Sequence, residues 1–207
     1  MHMKVLRMAS VLAARAFTRL STKESMLFVC DLQEKFRNNI VKFPEVVECA
    51  RRLVAAAHIL EVPIVGTEQY PKGLGHLVSE LALPEGTPIF DKTKFSMCIP
   101  PVQQIMMPEH KSVILCGIEA HVCVLQTTLD LLERGYGVHV VVDATSSRSP
   151  VDRAYAFKQM ERAGAVLTTS ECVILGLVGG AHHEKFKAVQ KLIMESAPDT
   201  GLSLAHI

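Results

Sequence analysis

This sequence lacks a hydrophobic run long enough to cross a membrane. Its apolar stretches, such as residues 138–142, are strand length, whereas a spanning helix needs ~20 residues. No C-x-x-C pair occurs among its six cysteines, Cys30, Cys49, Cys98, Cys116, Cys123 and Cys172. Their spacing suits neither a zinc site nor a secreted disulfide framework, so most read as small core residues of a reduced, intracellular protein. No G-x-G-x-x-G follows the first predicted strand. Gln33, Glu34 and Lys35 stand where a dinucleotide site would need glycines. Internal repeats and low-complexity linkers are also missing. No cofactor and no metal are expected.

Acidic residues are absent from residues 1–23, which carry Lys4, Arg7, Arg15, Arg19 and Lys23. On a helix, Val5, Met8, Leu12 and Ala16 would share one side of this segment. It reads either as a mitochondrial targeting peptide or as an untemplated N-terminus, and in both cases it stands apart from the fold. Residues 24–207 hold 17 basic and 21 acidic side chains, a net −4 within an overall +1. A mildly acidic body has no electrostatic reason to bind nucleic acid. Without the targeting segment, the expected compartment is cytoplasmic or nuclear.

What is present is a packed, single-domain composition: 207 residues, 49% hydrophobic, 21% charged and a mean hydropathy of +0.25. Short β-branched runs alternate with amphipathic stretches. Strands are expected over 26–31, 63–67, 87–91, 112–117, 138–143 and 166–169. Helices are expected over 44–61, 74–83, 102–107, 121–134, 150–163, 171–178 and 182–195. The domain spans 24–197, and residues 198–207 read as a loose tail. Apolar strands alternating with helices imply an α/β fold, a parallel sheet covered on both faces as a three-layer αβα sandwich. In such sheets ligands bind beyond the carboxyl ends of the strands.

The residues at those ends carry chemistry. Strand one ends in Asp31, a carboxylate that partial burial makes a usable acid or base, although aspartate is also ordinary turn chemistry. Strand three leads into Lys92 and Lys94, one of which could turn inward. Strand four leaves through Gly117 into a helix whose first turn carries Cys123. There, free backbone N–H groups and the helix dipole favour a thiolate and can hold an oxyanion. Cys123 also reads as a buried small apolar residue. Together these strand ends supply a carboxylate, an ammonium and a thiol, the set that covalent acyl transfer requires. Gln33, Phe36, Gln69 and Tyr70 follow the same strand ends and are candidates for the substrate pocket.

The order of these motifs resembles the isochorismatase-like hydrolases from about residue 26 to 178. The match runs through Asp31-Leu32-Gln33, then Lys92 with Ser96, which selects Lys92 over Lys94. It continues through Gly117, Ile118, Cys123, Val124, Thr127, Asp130 and Gly135 to Asp143 and Ala144. Residues 67–71, 117–120 and 146–149 carry a narrower match to one branch of that family. The resemblance implies a six-stranded parallel sheet of Rossmann-like order and a cis peptide between Ile118 and Glu119. It implies Cys123 as nucleophile, Asp31 as its base and Lys92 as the cation that stabilises thiolate and carboxylate, with the backbone amides of Glu119 and Cys123 as an oxyanion hole. It also implies assembly as a dimer or larger homo-oligomer. Residues 173–180 are apolar and Gly-rich, which suits an interface or a core helix equally. One departure matters. The Asp-x-His metal pattern that nicotinamidases of this family carry after strand two is absent here, where Thr67-Glu68-Gln69-Tyr70-Pro71 stands. His182 and His183 are adjacent and read as solvated.

Two functions follow. The first is hydrolysis of a small amide-type C–N bond through a covalent thioester at Cys123. The second is a catalytically silent protein-interaction module that keeps the fold and the triad, with protein partners in place of a substrate.

Overall fold

The computed structural model describes residues 19–202. Most of the basic segment 1–23 lies outside the described residues. Six strands form one parallel sheet in the order β3-β2-β1-β4-β5-β6. They are β1 (Ser25–Cys30), β2 (Ile64–Gln69), β3 (Ile89–Lys92), β4 (Ser112–Ile118), β5 (Gly137–Ser146) and β6 (Val166–Thr168). The sheet therefore reverses its winding direction between β1 and β4, and a crevice opens beyond the carboxyl ends of those two strands.

Side chains on β1 alternate between two cores, as the period of a strand dictates. Leu27 and Val29 face one, and Met26, Phe28 and Cys30 face the other. The first core is closed by α1 (Phe43–Ile59), whose Val46, Val47, Ala50, Leu53, Val54 and Ala57 are buried at helical spacing. Pro44 suits the start of this helix because its fixed φ is helical and its missing N–H is not needed there. The second core is closed by α4 (Leu125–Glu133) and α5 (Pro150–Ala163). In α5 the Ser149 side chain accepts a hydrogen bond from the Asp152 amide at 3.2 Å, and Gly164 closes the helix in the left-handed region. Helix α6 (Ser170–Val178) buries Val173, Ile174, Leu177 and Val178. That makes residues 173–178 a core helix, with Leu175 its one large apolar side chain facing outward. Among the described residues no helix is long and apolar enough to cross a membrane.

Four expectations need correction. The helix expected over 74–83 is split into a single turn, α2 (Pro71–Leu74), and a 3-10 turn, Ser79–Leu81. Gly75, at φ +76°, breaks the helix, and Val78 N–H then donates to the Leu32 carbonyl at 2.8 Å, so tertiary backbone bonds replace helical ones. The helix expected over 121–134 begins as a wide turn, Ala120–Val124, in which Leu125 N–H reaches back to the Ala120 carbonyl before α4 takes over. Of the helix expected over 182–195, only α7 (Phe186–Gln190) forms. His183 Nδ1 accepts the Lys185 N–H at 3.1 Å and holds that segment in a turn. The chain after Pro198 is tied down rather than loose at Thr200, which is buried and accepts a 2.7 Å hydrogen bond from the Arg153 guanidinium. The short helix α3 (Pro100–Ile105) completes the set.

Gly117 is where the fold is least forgiving. It sits at φ +121°, and a Cβ there would stand 2.0 Å from the Cys30 carbonyl oxygen. Only glycine lets β4 pass this close to β1 in that conformation. The Gly117→Ala protein is expected to lose more than about 4 kcal/mol of stability or to fail to accumulate in soluble form, read by urea denaturation and soluble yield.

Candidate active site

The crevice between β1 and β4 collects the three groups. Asp31 follows β1 directly at φ +48°, a left-handed conformation that aspartate tolerates better than most residues. Its amide donates to the Thr67 carbonyl on β2 at 3.1 Å, so the turn is fixed from the neighbouring strand. The carboxylate is 1% exposed, and each of its oxygens accepts a hydrogen bond. Thr67 Oγ1 donates to Oδ1 at 2.8 Å, and Lys92 Nζ donates to Oδ2 at 2.6 Å.

Lys92, at the end of β3, is the lysine that turns inward, and its side chain is closed to solvent. Beyond Asp31, its ammonium donates to Gln69 Oε1 at 2.7 Å and to the Phe95 carbonyl at 2.8 Å, with the Lys94 carbonyl at 3.3 Å. Lys94 instead lies at the surface and pairs with Asp130 at 2.7 Å. Burial pushes the Asp31 carboxyl up from its ordinary value, and Lys92, Thr67 and Cys123 offset that only in part. For Lys92, burial favours the neutral form, yet the negative charge available at Cys30, Asp31 and Cys123 outweighs it and raises the ammonium pKa.

Cys123 sits in the wide turn after β4. Its sulfur, the Cys30 sulfur and an Asp31 carboxylate oxygen all lie within 4.8 Å of one another. The turn is held from both sides by Thr127, whose hydroxyl donates to the Cys123 carbonyl at 2.6 Å and accepts the Met97 amide at 2.9 Å. Thr127 and Asp130 therefore bind the loop after Lys92 to the helix after Cys123. The peptide between Ile118 and Glu119 is cis.

Asp31, Gln69 and Cys123 line a cavity of about 470 Å³. Its apolar walls come from Phe36, Leu74, Phe95, Ile118 and Val122. Glu119 and Arg148 line it too, paired at 3.1 Å, with the Glu119 carboxylate also accepting the Arg148 amide at 2.9 Å. Of the four pocket candidates, Phe36 and Gln69 line this cavity. Gln33 does not. It is buried, its Oε1 accepts the Gln69 amide, and its Nε2 donates to the Gln69 and Gly75 carbonyls, which fixes the loop after β2. Tyr70 does not either. Its backbone is left-handed, and its ring is over half exposed in a neighbouring groove beside Pro71 and Lys72. Among the cavity residues that sequence reasoning missed, Phe95 and Arg148 come from loops and Leu74 from the single-turn α2, where sequence periodicity gives no signal.

A buried ion pair is costly to make and costlier to break on one side. Lys92→Met is expected to lose about 3–5 kcal/mol of stability, because it strands the Asp31 charge. Adding Asp31→Asn should recover most of that loss, as measured by chemical denaturation of both proteins.

The isochorismatase domain family matches residues 25–172. The human protein named isochorismatase domain-containing protein 2 is 56% identical over 186 residues, covering 89% of this chain and 90% of the human one. A solved structure described as MAR1 ribonuclease from Caenorhabditis elegans is 66% identical with a TM-score of 0.88, covering 90% of this chain and 97% of that one. A Pseudomonas aeruginosa protein, YcaC, solved with hexane-2,5-diol and covalent acrylamide, is 26% identical with a TM-score of 0.78, covering 86% and 94% of the two chains.

Proposed function

The chain belongs to the isochorismatase family, and from that premise we propose that it is a cysteine hydrolase that cleaves a small amide-type C–N bond. One observation carries this reading: Cys123 and Asp31 face the same cavity, and Asp31 is anchored from behind by a buried ammonium. In the proposed reaction, Asp31 accepts the thiol proton as the Cys123 sulfur attacks the substrate carbonyl carbon. The backbone amides of Glu119 and Cys123 receive the oxyanion. As the tetrahedral intermediate collapses, the C–N bond breaks and Asp31 returns the proton to the leaving amine, which leaves a thioester. Water, deprotonated by Asp31, then attacks the thioester. The carboxylic acid departs and the thiol is reformed.

Lys92 does not reach the cavity wall, so its role in this scheme is to hold Asp31 in place and in charge. The raised Asp31 pKa supports a base able to both take and return a proton. The size of the cavity and its apolar walls favour a small substrate. The covalent acrylamide of the Pseudomonas protein fits a family site that holds a reactive nucleophile. The description ribonuclease belongs to the worm protein. In this chain one cationic side chain lines the cavity, Arg148, and it is already paired with Glu119. This is a poor match for a polyanionic strand.

The test is an activity screen over small amides, ureides and vinyl ethers, with single-stranded RNA as a further arm. Cys123→Ala is expected to abolish turnover while keeping the native fold by circular dichroism. Iodoacetamide should alkylate Cys123 in the native protein. A fully active Cys123→Ala protein would refute the covalent route, and a Cys123 inert to alkylation would favour the interaction module.

Because Asp31 must be ionised to accept a proton, kcat/KM should fall as pH decreases. Since burial raises its pKa, the midpoint of that acid limb should lie above the ordinary aspartate value, read from a kcat/KM–pH profile.

A further inference from the structure

The mechanism leaves several buried thiols unused, and among them that of Cys30 adjoins the site. It is the last residue of β1 and points with Met26 and Phe28 into the core that also contains Cys123. Its sulfur lies within 4.8 Å of the Cys123 sulfur. The two differ in access. Cys123 lines the cavity, whereas Cys30 is 0% exposed and does not. Cys116 is committed elsewhere, its thiol directed at the Phe28 carbonyl at 3.6 Å.

We infer that Cys30 is a resolving thiol for Cys123, so that a peroxide entering the cavity converts the pair into an internal disulfide that closes the site reversibly. This rests on the same accessible Cys123 that the hydrolase reading uses. In the first step the Cys123 thiolate attacks one peroxide oxygen. An S–O bond forms, the O–O bond breaks, and the hydroxide released takes up the proton lost from the thiol, giving water. In the second step the Cys30 sulfur attacks the Cys123 sulfur. The S–S bond forms, the S–O bond breaks, and the Cys30 proton leaves with the hydroxyl as a second water. Two thiols are oxidised by two electrons, and one peroxide is reduced to two waters.

The geometry makes the order of events unambiguous. The oxidant meets Cys123 first, since the cavity reaches that sulfur alone. Burial, together with the Cys123 hydrogen bond and the nearby Asp31 charge, raises the Cys30 pKa well above its ordinary value, so Cys30 waits as an unreactive thiol until a sulfenic acid forms beside it. To join, the two sulfurs must close from within 4.8 Å to a bond of about 2.05 Å. The same three donors, Cys30, Asp31 and Cys123, are a weaker case for a metal, because the Lys92 ammonium already occupies the Asp31 carboxylate.

The experiment uses the full chain carrying Cys172→Ser, which removes the exposed cysteine. The native protein is treated with a molar excess of hydrogen peroxide, denatured into N-ethylmaleimide, and analysed by intact mass and non-reducing peptide mapping. The expected result is the loss of two hydrogen atoms and a Cys30–Cys123 linked peptide, reversed by dithiothreitol. In the Cys30→Ala protein on the same background, Cys123 should instead gain two or three oxygen atoms that dithiothreitol does not remove. An over-oxidised Cys123 beside an alkylated Cys30 in the Cys30-containing protein would overturn the inference, whether or not Cys30→Ala folds. If iodoacetamide labels Cys123 but peroxide forms no link, the pairing fails while the hydrolase reading stands. If neither reagent touches Cys123, both fail.

Discussion

The site depends on one ion pair, Lys92 with Asp31, sealed from solvent at the carboxyl ends of β3 and β1. Neither charge would be stable alone at that depth. Each is also satisfied by further partners: Thr67 for the carboxylate, and Gln69 with the Phe95 carbonyl for the ammonium. The pair therefore fixes three strand ends, β1, β2 and β3, relative to one another, and gives the loop after Lys92 a single course. That loop then meets the Cys123 turn through Thr127 and Asp130, so the thiol is positioned by the same network that holds the charges.

Strand order explains why this network lies where it does. Reversal of winding between β1 and β4 leaves a crevice that no crossover helix fills, and Asp31 and Cys123 stand on its two sides. Gly117 allows β4 to run against β1 at that point. The Ile118–Glu119 peptide and the wide turn that follows carry the chain directly to Cys123.

The sheet was largely legible because buried parallel strands announce themselves as short β-branched runs, and strand order followed from the family resemblance. Helices ended where glycine said they should at Gly164, but local pattern failed where tertiary bonds took over, as at 74–83 and 182–195. Lys92 could be told from Lys94 only by motif spacing, since both stand in the short stretch where β3 gives way to a loop. Gln33 and Tyr70 misled because proximity to a strand end says nothing about side-chain direction: one is consumed as a loop clamp, the other is turned outward by a left-handed backbone. Cys30 was invisible as anything but a core residue, since its meaning comes from a neighbour 93 positions along the chain.

The division of labour within the cavity has an evolutionary corollary. Acid and thiol stand beside rigid strand ends, but much of the enclosing wall, including Phe36, Leu74 and Phe95, comes from connecting segments that tolerate change. Selection can thus resculpt the accepted shape by altering loops while the reactive centre is inherited untouched. A scaffold of this kind diversifies its diet without reinventing its chemistry.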